Sequence, residues 1–291
     1  MLFDIVHRTE YRYGQPASEA CLEARLTPPD LPFQKVVSHR VEFQPPGGLS
    51  GYTDYFGNVV TFVSLARSHP RMGVTNFLRV RTAPHVRPAG ALEIPVAEAR
   101  QILTSRLPEI FDYLQPTPAV PTGGSAKAWA HKYFRGSRPF GEALEALNRE
   151  IHRRFRYMPG TTENSTPLEK VWKQRAGVCQ DFAHVMLAVL RTAGLPARYV
   201  CGYIESGNPE GSGELVGSLA THAWVEVLVP GMEWVGFDPT NDQPSGERHV
   251  AVSFGRDYAD AAPVRGTFKG SGQQRMSVKV RMKRITATTE G

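Results

Sequence analysis

The run RAGVCQDFAH, Arg175 to His184, places a cysteine two residues after a glycine, where a long apolar-patterned segment begins. A cysteine in the first turn of a helix sits among unpaired backbone N–H groups at the positive end of the peptide dipoles, which favours a thiolate. A thiolate that attacks a carbonyl needs a base to manage the proton and a third group to orient that base. His222 in THAWVEVLV and Asp238 in EWVGFDPTN are the candidates. Each of the three has an inert reading by itself: a packed thiol, a hydrogen-bonded histidine, the start of an Asp-Pro turn. Together they meet the requirements of acyl chemistry on a cysteine.

Strand geometry provides a test. Ala223, Val225, Val227 and Val229 form one apolar set, so His222 shares the other face with Trp224 and Glu226. Val235 and Phe237 form the apolar set of the next strand, leaving Trp234, Gly236 and Asp238 on the side of His222. A three-residue loop that sets Leu228 opposite Met232 pairs His222 directly with Asp238, with Cβ atoms about 4.5–5.5 Å apart. A slip of one residue separates them onto opposite faces. Glu226, the rival acid, lies four residues along the same strand and so about 13 Å from His222, out of reach.

The elements that must position these residues are legible as patterns. Val178, Phe182, Val185, Met186, Val189, Leu190 and Ala193 form a helical stripe, stopped by Gly194 and Pro196. Thr166, Pro167 and Glu169 predict a capping-box start for a short helix that ends near Ala176–Gly177. A strand is expected over 197–204 and a Gly/Ser-rich loop over 205–218. Residues 1 to about 82 alternate in the strand period, punctuated by PPD, PPGG and FGN, which suggests an antiparallel sandwich. The Pro- and Ala-rich stretch 82–95 reads as a linker, beyond which Leu144, Leu147, Ile151 and Phe155 switch to helical spacing. The expectation is an α+β chain: an N-terminal antiparallel β-sandwich-like domain over 1–82, linker and helices over 83–135, and a catalytic core with C-terminal strands over 136–291.

Composition bounds the partners. With 291 residues, 41% hydrophobic and 21% charged, the chain suits one large or two moderate domains. No window is apolar for long enough to cross a bilayer, and the opening MLFDIVHRTEYRYG is charged and strand-like, so a cytoplasmic location without membrane contact is expected. The net charge of +6 is carried in short clusters, HRRFR at 152–156 and KVRMKR at 279–284, read as solvated faces and not as a nucleic-acid surface. Cys21, Cys179 and Cys201 are an odd number at wide spacing, which fits reduced thiols, with Cys201 in the core. A metal site from Cys179, Asp181, His184 and His222 fails because the helical residues do not share one face, and no calcium-loop pattern occurs, so neither metal nor cofactor is expected. Asp181 and His184 read as capping and packing features paired with each other or with backbone.

GVCQDFAHVMLAVLRTAGLPARYVCGY, THAWVEV and WVGFDPTN resemble the three sequence blocks of the transglutaminase-like superfamily in its bacterial branch. FRYMPGTTENSTPLEKVW resembles the stretch before the cysteine block there, and HVAVSFGRDYADAAPVRGTFKG the C-terminal signature. Residues 1–80, with HRTEYRYG and YFGN, look like the N-terminal β-domain of that branch. The resemblance implies a papain-like core, a nucleophile helix packed on an antiparallel sheet, with Cys179 as nucleophile, His222 as general base and acid, and Asp238 as orienter. It also implies an oxyanion hole from the Cys179 N–H and an upstream donor, for which Tyr157 is the candidate. The expected activity is hydrolysis of an amide or peptide bond in a peptide or protein substrate, through a thioester acyl-enzyme and without a cofactor. Protein-glutamine acyl transfer to an amine is the first alternative, and a non-catalytic binding module of the same fold is the second. No segment reads as the further domains and calcium sites of the animal crosslinking enzymes, which favours hydrolysis. Arg256, Asp257 and Tyr258 match the tail signature without an assigned chemistry, and the sequence leaves the substrate and the oligomeric state open.

Overall fold

The computed structural model describes residues 1–205 and 220–285, so the expected Gly/Ser-rich loop lies, but for Glu205, outside the described residues. The N-terminal alternation becomes six strands: β1 (Leu2–Ala17), β2 (Glu19–Thr27), β3 (Gln34–Gln44), β4 (Gly48–Thr53), β5 (Val59–Leu65) and β6 (His69–Thr82). A helical stretch follows, α1 (Ala89–Glu93), α2 (Val96–Thr104), α3 (Leu107–Ile110), α4 (Gly124–Tyr133) and α5 (Phe140–Arg154). The core continues with β7 (Arg156–Tyr157), α6 (Leu168–Gln174), β8 (Ala176–Gly177), α7 (Cys179–Thr192), β9 (Ala197–Ile204), β10 (His222–Val229), β11 (Glu233–Asp238), β12 (Gln243–Pro244), β13 (His249–Gly255) and α8 (Tyr258–Ala261). Two strands close the chain, β14 (Val264–Lys269) and β15 (Gln274–Arg284). Among the described residues no helix is long and apolar enough to cross a membrane.

The N-terminal strands form two four-stranded antiparallel sheets, in the orders β15-β1-β6-β3 and β14-β2-β5-β4. The last two strands, grouped by sequence position with the catalytic part, therefore pair with β1 and β2 at the other end of the chain. The KVRMKR cluster belongs to β15. Lys279, Arg281 and Lys283 face solvent, while Val280 and Met282 alternate inward against Phe3, Ile5, Leu78 and Val80. That same apolar group includes Tyr203 of β9 and Val250 and Val252 of β13, so one end of the sheet is seated on the core. The other end packs Tyr11, Met72 and Val74 on Leu22, Leu26 and Val63 of the second sheet.

The core sheet is antiparallel in the order β12-β11-β10-β9-β13. The predicted stripe of α7, Val178 excepted, packs on the predicted strand set, Ala223, Val225, Val227, Val229, Val235 and Phe237, with α4, α5 and α6 joining the same cluster through Ala130, Leu144, Leu147, Ile151 and Trp172. Each such Val, Leu or Phe side chain removed from water contributes about 1.5–3 kcal/mol, and this makes α7 the fixed rod of the core. The capping box expected at α6 does not form. Pro167 occupies the N-cap and has no N–H for Glu169 to bond. Glu169 instead accepts the Ser125 N–H (3.3 Å) and hydroxyl (2.8 Å) in the first turn of α4.

Candidate active site

The first turn of α7 is fixed before any chemistry is asked of it. Asp181 accepts the Val178 N–H at 2.8 Å and the Thr162 hydroxyl at 2.7 Å, which caps the helix and ties the 159–166 loop to it. Gly177 is required by this cap, since a Cβ there would lie 2.4 Å from Asp181 Oδ2. Cys179 follows as the first helical residue, 8% exposed. The short parallel pair β7–β8 aligns Tyr157 with Gly177, and Met158 donates its N–H to the Gly177 carbonyl at 2.8 Å. Tyr157 is thereby brought beside Cys179: burial, with the sulfur's charge adding, pushes its hydroxyl up to about 12.

His222 and Asp238 meet as the strand faces require, in a different register. The ladder runs Val225 to Phe237, Leu228 to Trp234 and Val229 to Glu233, so the loop is Pro230–Met232 and continuation of the ladder sets Asp238 across from Trp224. Gly231 (φ 98°) and Met232 (φ 64°) both turn left-handed, which lets the strand resume at Glu233, later than a loop over 229–231 would allow. The shift is even, so the face is kept. His222 and Asp238 are diagonal neighbours and not direct partners, joined Nε2 to Oδ2 at 2.9 Å with both side chains fully buried.

Electrostatics then polarise the pair. Burial pulls the His222 proton affinity down, but the Asp238 charge and hydrogen bond outweigh it, Cys179 adds to them, and the imidazole is raised to about 10. Burial acts against the ionised form of Asp238, yet the imidazole N–H groups facing it hold the carboxyl well below the usual range. The buried Nδ1 of His222 has no hydrogen-bond partner among the described residues, leaving that nitrogen for the neighbouring Cys179. Glu226 is occupied elsewhere, paired with Arg198 at 2.6 Å, whose guanidinium lies over the rings of Trp234 and Phe254.

The sequence reading missed His249. Its Nε2 lies 3.2 Å from Asp238 Oδ2, and its Nδ1 accepts the Gly246 N–H at 3.1 Å. His222 and Ala251 both pair with Gly202 from opposite sides, and this puts His249, two residues from Ala251, on the face of His222. Only the order of the sheet reveals that, and local periodicity carries no trace of it. His222, Asp238 and His249 have the donor types of a metal site, with ligand atoms within 4.8 Å of one another. A ligating imidazole donates its second N–H, whereas His249 Nδ1 faces an N–H and must accept, so its proton sits on Nε2 toward the carboxylate. The cluster fits a hydrogen-bond network better than a metal.

Asp181 and His184 do not pair with each other. His184 Nε2 accepts the Tyr258 N–H at 3.2 Å, and burial takes this imidazole down to about 4. Arg191, also on α7, donates to the carbonyls of Tyr113, Gln115, Ala197 and Arg256. The GRDY segment is thus docked on α7, with Asp257 capping α8 through the Ala259 N–H at 2.8 Å. Cys201 is buried, which pushes its thiol up to about 12. Iodoacetamide near pH 6 is expected to label Cys179, beside the raised imidazole, ahead of Cys21 and Cys201. Peptide mapping checks the order, and Cys201 labelled before Cys179 in the folded protein would contradict it.

Residues 126–239, which contain Cys179, His222 and Asp238, match the transglutaminase-like superfamily, and residues 3–81 match the bacterial transglutaminase-like N-terminal region. An uncharacterized protein of Mycobacterium leprae is 35% identical over 285 residues, 97% of this chain and 98% of that one. The chain belongs to the transglutaminase-like superfamily. A candidate cysteine protease from Cytophaga hutchinsonii, 22% identical, shares this transglutaminase-like fold with a TM-score of 0.77 over 99% of this chain and 92% of that one. A protein-glutamine gamma-glutamyltransferase of Pseudomonas aeruginosa is 40% identical over 98 residues, 32% of this chain and 14% of that protein.

Proposed function

We propose that this transglutaminase-like protein is a cysteine hydrolase that cleaves an amide or peptide bond in a peptide or protein substrate. The observation that carries the reading is His222, held by Asp238 at 2.9 Å through Nε2 and left with a buried Nδ1 that has no other partner among the described residues than the neighbouring Cys179. In the first half-reaction the Cys179 thiolate attacks the amide carbonyl carbon, and the oxyanion is met by the Cys179 N–H and the Tyr157 hydroxyl. The His222 imidazolium gives its proton to the leaving amine, the C–N bond breaks, and a thioester remains. In the second half-reaction His222 takes a proton from water, hydroxide adds to the thioester, and the acid leaves as the thiolate is restored.

Hydrolysis asks only for water at the thioester, whereas transfer needs a second subsite that holds an amine and keeps water out. Glutamine acyl transfer is the second reading, favoured by the likeness to the Pseudomonas aeruginosa transferase. The experiment is mass spectrometry of the protein quenched during reaction with a mixed peptide pool, with and without an excess primary amine. An acyl adduct on the Cys179 peptide with free-acid products supports hydrolysis, and amine-capped products support transfer. No adduct in either arm would remove the enzymatic reading in favour of a binding module.

A further inference from the structure

Asp238 is a fully buried carboxylate that accepts five hydrogen bonds among the described residues. The backbone N–H groups of Thr240 (3.0 Å) and Asn241 (3.3 Å) hold Oδ1. On Oδ2 converge the Asn241 side-chain amide (2.7 Å), His222 Nε2 (2.9 Å) and His249 Nε2 (3.2 Å). The two imidazoles are not equivalent. The free Nδ1 of His222 lets that ring gain and lose a proton, whereas His249 Nδ1 is committed to accepting the Gly246 N–H at 3.1 Å. Protonating His249 would set two N–H groups against each other at a site 2% exposed.

We propose that His249 is a positioning residue of this site: a permanently neutral second imidazole whose Nε2–H fixes the Asp238 oxygen on which His222 turns. The role rests on the reading of Cys179, His222 and Asp238 as catalytic. When His222 passes its proton to a leaving group, Asp238 loses its one cationic partner while remaining buried. Neutral donors that stay in place keep the carboxylate ionised, so that His222 and not Asp238 recovers the proton. The charged and titratable groups facing His249 support its neutrality. His222 from β10, His85 from the segment after β6, and Arg248 beside it all oppose a second positive charge, and among the described residues Asp238 favours one. Burial and these neighbours hold His249 below the ordinary histidine value despite Asp238.

The test compares His249→Gln, whose amide can supply the same N–H, with His249→Leu, which cannot. In the Leu variant Cys179 alkylation and kcat/KM should fall about 10- to 100-fold, the worth of one hydrogen bond to a buried charge. The alkaline inflection, where the His222 imidazolium is lost, should move to higher pH, because a carboxylate with one donor fewer is more basic and holds the proton of the pair more firmly. The Gln variant should recover most of the rate and the parent inflection. In the parent protein, nitrogen NMR should show His249 as the Nε2–H tautomer throughout, from about pH 5 to about pH 9, a readout that needs neither a substrate nor a folded variant. A His249 that protonates in that range overturns the proposal, as does a Leu variant with the parent profile or a Gln variant no better than Leu. Failure of the catalytic reading looks different: parent Cys179 would alkylate at a rate indifferent to His222→Ala while the His249 tautomer stays as described.

Discussion

Cys179→Ala should lower turnover below detection while leaving the melting temperature close to that of the parent. Alanine is the best helix former, and at the first position of α7 it fits the space of the sulfur, so the loss is chemical. Asp238→Asn should be graded, with kcat down by about 10²- to 10⁴-fold, because an amide still contacts the ring but presents one acceptor where several N–H donors converge and stabilises imidazolium less well. Glu226→Gln should do the opposite, sparing kcat and costing about 3 kcal/mol by leaving the largely buried Arg198 without its anion. The pH dependence follows from the raised imidazole. Its pKa is higher folded, about 10, than unfolded, about 6.5, so its contribution to stability is complete below about 6.5 and is lost as pH rises through 10. Stability of the parent should therefore fall on the alkaline side by more than that of His222→Gln. Kinetics, thermal melts and an alkaline titration measure these effects. A Glu226→Gln variant that is inactive beside an active Asp238→Asn would reverse the assignment of the orienting acid.

Gly202→Ala is expected to be the most damaging conservative substitution in the core. A methyl there would lie 2.1 Å from the Val250 carbonyl oxygen and 2.6 Å from the Trp224 ring, so β9 and β13 must part and a fully buried indole must move as well. The loss should reach about 4 kcal/mol, roughly 8–16 °C in melting temperature for a protein of this size. Activity should fall with it, because Gly202 pairs directly with His222. Gly231→Ala is the control. It has a left-handed φ but open space around it, and strain alone costs about 1 kcal/mol. A Gly202→Ala protein that melts within a degree or two of the parent would show that β9 and β13 can separate without disturbing the histidines.

Residues that touch through short-range periodicity were readable from the sequence. The α7 stripe and the inward valines of β10 met as their spacing requires, and face parity alone brought His222 to Asp238. The exact partner across the hairpin was not readable, because the left-handed turn at Gly231 and Met232 shifts the ladder by an even step that parity does not detect. His249 was invisible for a different reason. It reaches Asp238 across the ends of β9 and β10, and which strand lies beside β9 is decided by long-range burial that no local pattern records. The same holds for Glu169, whose carboxylate serves α4 and not its own helix.

The return of β14 and β15 to the N-terminal sheets sets an order on how this protein can be made. A chain grows from its N-terminus, and β1 emerges ahead of every other described element while β15, its partner along eleven residue pairs, follows them all. Until then β1 and β2 each carry a row of unsatisfied N–H and C=O groups along an open edge, and such edges recruit other strands. Helix α7 and the core sheet are synthesised within that interval, between the two halves of a scaffold that does not yet exist. Any nascent chain released before the last twenty or so described residues would carry an assembled cysteine site on a sandwich with two exposed edges, a species disposed to pair with its own copies.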